Sequence, residues 1–254
     1  MSLQRTFEAS DPHREIKQKA WDDFVNYYNF INESPLLVKY PDIWYKVQGI
    51  VSPRQIVAWR NLINIISEGI FNKIPVALNH NLDEGNLFFL NEYKNHFSDT
   101  NNLKITLACG YFWKFLKGLK RREKMKVFYM DKVKNGCKVK IYTKDETLKS
   151  EFTSDKPSIK CLPYRMDIHF TIIQPKNKDD AKKTLFFIEL PHTENTRYRL
   201  DAYFTIGQLK EFGCSEENIK KLLKYLSKQY YLIPHLLFKS LPSKANVAIN
   251  SRYL

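Results

Sequence analysis

The stretch ITLACGYFWKFLKGLKRREKMKVFYMDKVKNGCKVKIYTK, residues 105–144, constrains the fold of this chain more than any other. Ala108, Phe112, Phe115, Leu116 and Leu119 recur at the spacing of one apolar stripe on a helix. Lys114, Lys117 and Arg121 share another face of it. Past Arg122 and Lys124, KVFYMDKV and CKVKIYT flank Asn135-Gly136. A two-residue type I′ turn needs positive φ at both central positions, which Asn-Gly supplies, so a β-hairpin is expected here. The predicted unit is a helix that runs into a basic hairpin.

The same stretch carries most of the charge. Between Lys114 and Lys144, twelve lysines and arginines stand against Glu123 and Asp131, in a chain whose net charge is +14. Cations displace the counterions condensed on a polyanion, and a basic helix beside a basic hairpin tip suits phosphate contact. Lys114, Lys117, Arg121 and Arg122 are assigned to one phosphate track, and Lys120 and Lys124 are also assigned to nucleic-acid binding. Lys132, Lys134, Lys138 and Lys140 are assigned to the hairpin. A solvated basic face on an ordinary α+β domain gives the same charge pattern.

Composition bounds the rest. With 43% hydrophobic and 14% aromatic residues, 254 residues can bury a sizeable core, which excludes a disordered chain. A basic balance favours nucleic acid, an anionic membrane surface or an acidic partner. No apolar run approaches the ~20 residues of a membrane span, and MSLQRTFEASD lacks a signal-peptide core. The protein is therefore expected inside the cell, in the cytoplasm, the nucleoid or a nucleus. Cys109, Cys137, Cys161 and Cys214 form no C-x-x-C pair, so buried free thiols are expected, with neither a zinc site nor a disulfide framework.

In chain order, Asp11-Pro12 opens a helix through Trp21, Phe24 and Ile31 that Ser34-Pro35 closes. Residues 36–51 are mixed, with Trp44 and Tyr45 read as core. Ser52-Pro53 opens a second helix whose wide apolar face (Ile56, Val57, Trp59, Leu62, Ile63, Ile66, Ile70) implies burial on more than one side, with a homodimer contact as one candidate. A third helix is expected over Asp83–Phe97, with Leu87, Phe88, Leu90 and Phe97 inward. Residues 146–160 read as a linker. IHFTIIQP and TLFFIELP read as a long hairpin with a mixed-charge loop, and TRYRLDAYF as a connector.

The last segment has the clearest local signals. Thr205 is placed to cap IGQLKEFG, Gly213 to end it and Ser215 to cap the next helix. Ile219, Leu222, Leu223 and Leu226 form the apolar stripe of that helix. Asn218, Lys221, Lys224 and Lys228 are assigned to nucleic acid. YYLIPHLLFK and ANVAINSRYL would be strands of a wing. The division is a helical domain with a basic wing (1–145), a linker and β-hairpin (146–200) and a winged-helix-like domain (201–254), α+β in class.

Two helix-plus-wing units in a basic chain of this size resemble tandem winged-helix DNA-binding proteins, and are similar to the replication initiators of plasmids and phages. The resemblance lies in element order and in no diagnostic motif. It implies duplex DNA as partner, homodimerisation, and a role in replication or in transcription regulation. It assigns no catalytic residue and no cofactor. A Mg²⁺-dependent nuclease of the restriction-endonuclease type is the enzymatic alternative. Asp167 and Glu189 would be its carboxylates, although Pro191 and His192 stand where such sites place a lysine, leaving His192 or Lys183 to substitute. On the non-enzymatic reading both carboxylates pair with Arg165 or Arg197. A non-catalytic subunit of a nucleoprotein assembly is the third possibility.

Overall fold

A computed structural model describes residues 3–33, 53–79, 82–97, 102–109, 120–144, 146–152, 156–162, 166–190 and 199–229. The elements are α1 (Arg14–Glu33), α2 (Pro53–Ile66), α3 (Glu68–Phe71), β1 (Val76–Asn79), α4 (Leu82–Phe97), β2 (Leu103–Cys109), α5 (Lys120–Lys134), β3 (Lys138–Thr143), α6 (Leu148–Glu151), β4 (Ser158–Cys161), β5 (Phe170–Pro175), a 3₁₀ turn (Lys178–Lys183), β6 (Leu185–Glu189), β7 (Arg199–Thr205), α7 (Ile206–Glu211) and α8 (Glu216–Lys228). This is a mixed α/β chain built on one seven-stranded sheet in the order β1-β7-β6-β5-β2-β3-β4. The β2-β3-β4 limb is parallel and the other pairings are antiparallel. The sheet draws strands from all three stretches into which the sequence was divided. No helix among the described residues is long and apolar enough to cross a membrane.

Alternation of side chains along each strand gives the sheet two apolar faces, each covered by helices. On the first face, Ala108, Tyr142, Phe170, Ile172, Phe186, Ile188, Ala202 and Phe204 pack beneath residues of α1, α2 and α8. On the second, Ile105, Leu107, Val139, Ile141, Ile173, Leu185 and Phe187 pack beneath α4, α5 and α6. The expectation that α2 is buried on several sides is met within the chain, since Trp59, Leu62, Ile63 and Ile66 are all buried. The N-terminal segment is tied to the α3 end by Arg5. Its guanidinium donates to the carbonyls of Phe71 (3.1 Å), Asn72 (2.6 Å) and Ile74 and lies 4.6 Å over the Trp21 ring.

The central stretch folds differently from its sequence reading. Ala108 belongs to a buried strand, β2, and residues 110–119, with Lys114 and Lys117, lie outside the described residues. From Ile105 to Cys109 the strand is buried at every position because both of its faces are covered there, and a short run of that kind does not separate a strand from a helix. The basic hairpin is also corrected. KVFYMDKV lies in α5, and CKVKIYT contributes β3, which pairs with β2 in parallel rather than with its predecessor. Gly136 does have positive φ (81°), but it ends a helix: the Gly136 amide donates to the Val133 carbonyl (3.0 Å) and the Cys137 amide to that of Lys132 (2.9 Å). That is a Schellman cap. A glycine in this conformation serves either structure. Met125, Phe128, Tyr129 and Val133, spaced three and four apart on one stripe, decide for the helix. The first wing therefore does not exist, and β2-α5-β3 is a parallel crossover.

Two smaller readings are corrected as well. Residues 146–160 carry α6 and the edge strand β4. The 199–205 part of the expected connector is β7, inside the sheet between β1 and β6, because Leu200, Ala202 and Phe204 alternate into the core. Helices over 14–33 and 82–97 stand where the sequence placed them, and the second expected helix is divided at Ser67, whose φ is 79°, into α2 and the short α3 that holds Ile70. So does the β5-β6 hairpin. Trp44, Tyr45 and the two expected wing strands after residue 229 lie outside the described residues.

Gly213 ends α7 with the same cap, its φ at 93° and the Cys214 amide donating to the Leu209 carbonyl (2.8 Å). A Cβ would meet nothing within 4 Å at either Gly136 or Gly213, so substitution there is opposed by backbone conformation alone. Gly136→Ala is expected to cost ~1–2 kcal/mol, and Gly136→Asn less, in thermal melts followed by circular dichroism. An alanine variant as stable as the parent would remove the cap from the account.

Candidate functional site

The lysines of the central stretch lie on both sides of the sheet. Helix α5 covers the second face, with Lys124 and Lys134 exposed on its outer side. Lys120, Arg121 and Arg122 form its first turn. Lys132 is engaged within the fold: its ammonium is 3.4 Å from Asp131 and lies over the rings of Tyr93 (5.0 Å) and Phe128 (5.7 Å). Lys138 and Lys140 alternate with the buried Val139 and Ile141, so they project from the opposite, first face. Among the described residues, the lysines of this stretch do not share the one continuous cationic surface that the sequence suggested.

The first face gathers a different set. Parallel pairing puts Lys104 of β2 in register with Lys138 of β3, Lys140 with Ser158 of β4, and Tyr142 with Lys160. In-register neighbours on adjacent strands share a face. Lys104, Lys138, Lys140 and Lys160 therefore stand together on the parallel limb, beside Ser158 and Gln174. Lys104, Lys138, Lys160 and Ser158 are exposed, and Lys140 and Gln174 half-buried. Strands β2, β3, β4 and β5 carry no aspartate or glutamate. Among the described residues, Lys104, Lys138 and Lys140 have no ion pair. Sequence reading missed Lys104 and Lys160. Their alternation with apolar neighbours, L-K-I and I-K-C, was a signal for strand faces, but the register that joins them is not written locally.

Helix α8 is a second, weaker basic element. Ser215 caps it by accepting from the Asn218 amide (3.2 Å), as the sequence indicated, and Thr205 with Gln208 forms a capping box on α7. Lys221 is paired with Glu217 (2.8 Å), and Lys210 with Glu216 (2.7 Å), which offsets much of the positive charge. These partners hold the Glu216 and Glu217 carboxyls below their usual range. Lys224 and Lys228 are exposed, and Asn218 is half-buried.

The carboxylates of the nuclease alternative sit at the other end of the sheet. Glu189 ends β6 and meets His169, whose Nδ1 is 3.2 Å from its Oε2. Asp201 of β7 is in register with Glu189 and only 7% exposed. Cys109 and Thr143, in register at the ends of β2 and β3, continue this row on the second face. Asp167 instead acts on the Tyr225 hydroxyl of α8. Lys183 lies six residues before Glu189, ~20 Å away along an extended strand, and pairs with Asp180 (2.8 Å). Among the described residues no group of three or more His, Cys, Asp or Glu side chains is placed to hold a metal ion. Arg165, His192 and Arg197 lie outside the described residues. His169 and Asp201 were not singled out in the sequence, which shows no spacing that would link them to Glu189.

No family model and no curated protein matches the chain. A solved structure with some similarity is that of TrmBL2, described as an archaeal chromatin protein with a novel mode of DNA binding. It is 16% identical, with a TM-score of 0.36, and the match covers 67% of this chain and 60% of that one. A likeness of this extent carries no argument about the present chain.

Proposed function

We propose that this chain binds nucleic acid through the lysine-bearing first face of the parallel limb. The observation that supports the reading is the register of Lys104, Lys138, Lys140 and Lys160 on strands without a carboxylate. Like charges held on one rigid surface, Lys104, Lys138 and Lys140 foremost, repel one another, and a polyanion relieves that repulsion while releasing its counterions. The net charge of +14 favours encounter with any polyanion. The role is binding, without an assigned catalytic residue. Initiator and regulator roles depended on paired wings, and the first of these is a helix and a parallel strand.

The test compares the two sides of the sheet. A Lys104→Ala, Lys138→Ala, Lys140→Ala triple variant is expected to lose at least ~10-fold in affinity for duplex DNA at ~0.1 M salt. Lys124→Ala with Lys126→Ala, on the α5 side, is expected to change it little. Fluorescence anisotropy on a labelled duplex measures both. The reverse ranking would move the interface to α5, and a parent chain that leaves the duplex unbound would end the proposal.

A further inference from the structure

The geometry points to a surface that follows a single phosphodiester backbone and reads no bases, so that binding is indifferent to nucleotide sequence; this rests on the nucleic-acid reading above. The side chains that reach solvent on the limb are ammonium groups and one hydroxyl, those of Lys104, Lys138, Lys160 and Ser158, with Lys140 partly exposed. An ammonium is a point charge on a flexible stem with rotating donors. It attracts a phosphate from many directions and lacks the rigid fork of an arginine. Base readout uses bidentate Arg, Asn or Gln contacts to base edges, or aromatic rings that stack on splayed bases. On this limb the aromatic Tyr142 is buried, and a single amide, Gln174 of the neighbouring β5, stands half-buried, as Lys140 does, in register with Lys104. No arginine lies on β2, β3, β4 or β5.

Dimensions agree with a single backbone. Three adjacent strands span ~10 Å, and residues two apart on a strand are ~7 Å apart. A patch of that size covers one strand of phosphates. Among the described residues the limb is a flat sheet face backed by core, and its own strands present no protruding element to a major groove ~12 Å wide. At most four phosphates are neutralised at once. The slope of log K against log salt is then expected to be no steeper than about −3.6 on duplex and −2.8 on single strands, from ~0.9 and ~0.7 per contact.

The experiment is a set of anisotropy titrations of the full chain at several salt concentrations. The ligands are two duplexes of equal length and unrelated sequence, and one of the component single strands. The two duplex affinities are expected to agree within about threefold, where a sequence reader would separate target from non-target by ~10³ or more. Replacing all four lysines with glutamine is expected to abolish most of the slope, and replacing all four with arginine to preserve it. Lys104→Gln and Lys138→Gln alone should each lower it by about one. A tenfold or greater preference for one duplex overturns sequence indifference while leaving nucleic-acid binding in place. A slope unchanged in the glutamine variants removes this face. Absence of binding by the parent chain overturns this inference together with the function it rests on.

Discussion

Trp59→Ala is expected to lower the melting temperature by roughly 6–20 °C, corresponding to ~3–5 kcal/mol. Trp59 is 1% exposed on α2, at the centre of an aromatic cluster. Its ring meets Phe24 edge-on at 5.9 Å and Phe71 at 5.6 Å, and Trp21 stacks on Phe71 at 5.5 Å. Its indole N–H donates to the Glu189 carbonyl (3.1 Å), joining the helical layer to the end of β6. Truncation removes the contacts with both rings and that hydrogen bond, and leaves a cavity that close-packed neighbours fill only in part. A domain with ~5–15 kcal/mol of total stability has little margin for such a loss. Trp59→Phe keeps most of the volume and should recover more than half of it. Calorimetry of the two variants checks this, and an alanine variant melting within ~2 °C of the parent would show that α2 is not a keystone of the first-face core.

Raising the pH from about 10 to about 12 is expected to remove ~2 kcal/mol of stability through Tyr225 alone. Burial pushes its hydroxyl up to about 12, with the Asp167 charge adding to the effect against the opposing hydrogen bonds of Asn61 and Gln229. The hydroxyl donates to the Ala58 carbonyl at 3.0 Å, which ties α8 to α2. In the unfolded chain the same phenol ionises near 10. Between the two values the folded state holds the proton that the unfolded state has released, so stability falls as pH rises. It is fully present below about 10 and lost by about 12. Tyr129, shifted further upward by complete burial, acts in the same direction, as do Tyr93 and Tyr203. Denaturant titrations at a series of alkaline pH values measure the slope. Tyr225→Phe should reduce it by about one proton. A phenylalanine variant with an unchanged alkaline profile would place this phenol in solvent.

Both expectations depend on pairings far apart in sequence, as does the candidate interface. Lys104 and Lys138 are adjacent on the sheet although a whole crossover helix separates them in the chain. The sequence reading placed Lys138 and Lys140 on the same hairpin surface as Lys132 and Lys134. The crossover instead puts the first pair on one face of the sheet and the second on the helix that covers the other. Glu189 likewise reaches His169, and has Asp201 opposite it, only because β5, β6 and β7 pair in one register.

What the sequence determined by itself was local. The Thr205-Gln208 capping box, the Ser215 cap, the glycine stop at 213, and the β5-β6 hairpin depend on groups within a few residues of one another or on side-chain alternation. Local hydrogen bonding and backbone conformation suffice to specify them. What only the tertiary structure decided was the use of those parts: whether the glycine after Asn135 closed a hairpin or a helix, whether LKITLAC was strand or helix, and which lysines came to share a face. A positive-φ glycine and a short apolar run are each compatible with two structures of similar local free energy. Burial against a partner element chooses between them, and that partner lies elsewhere in the chain.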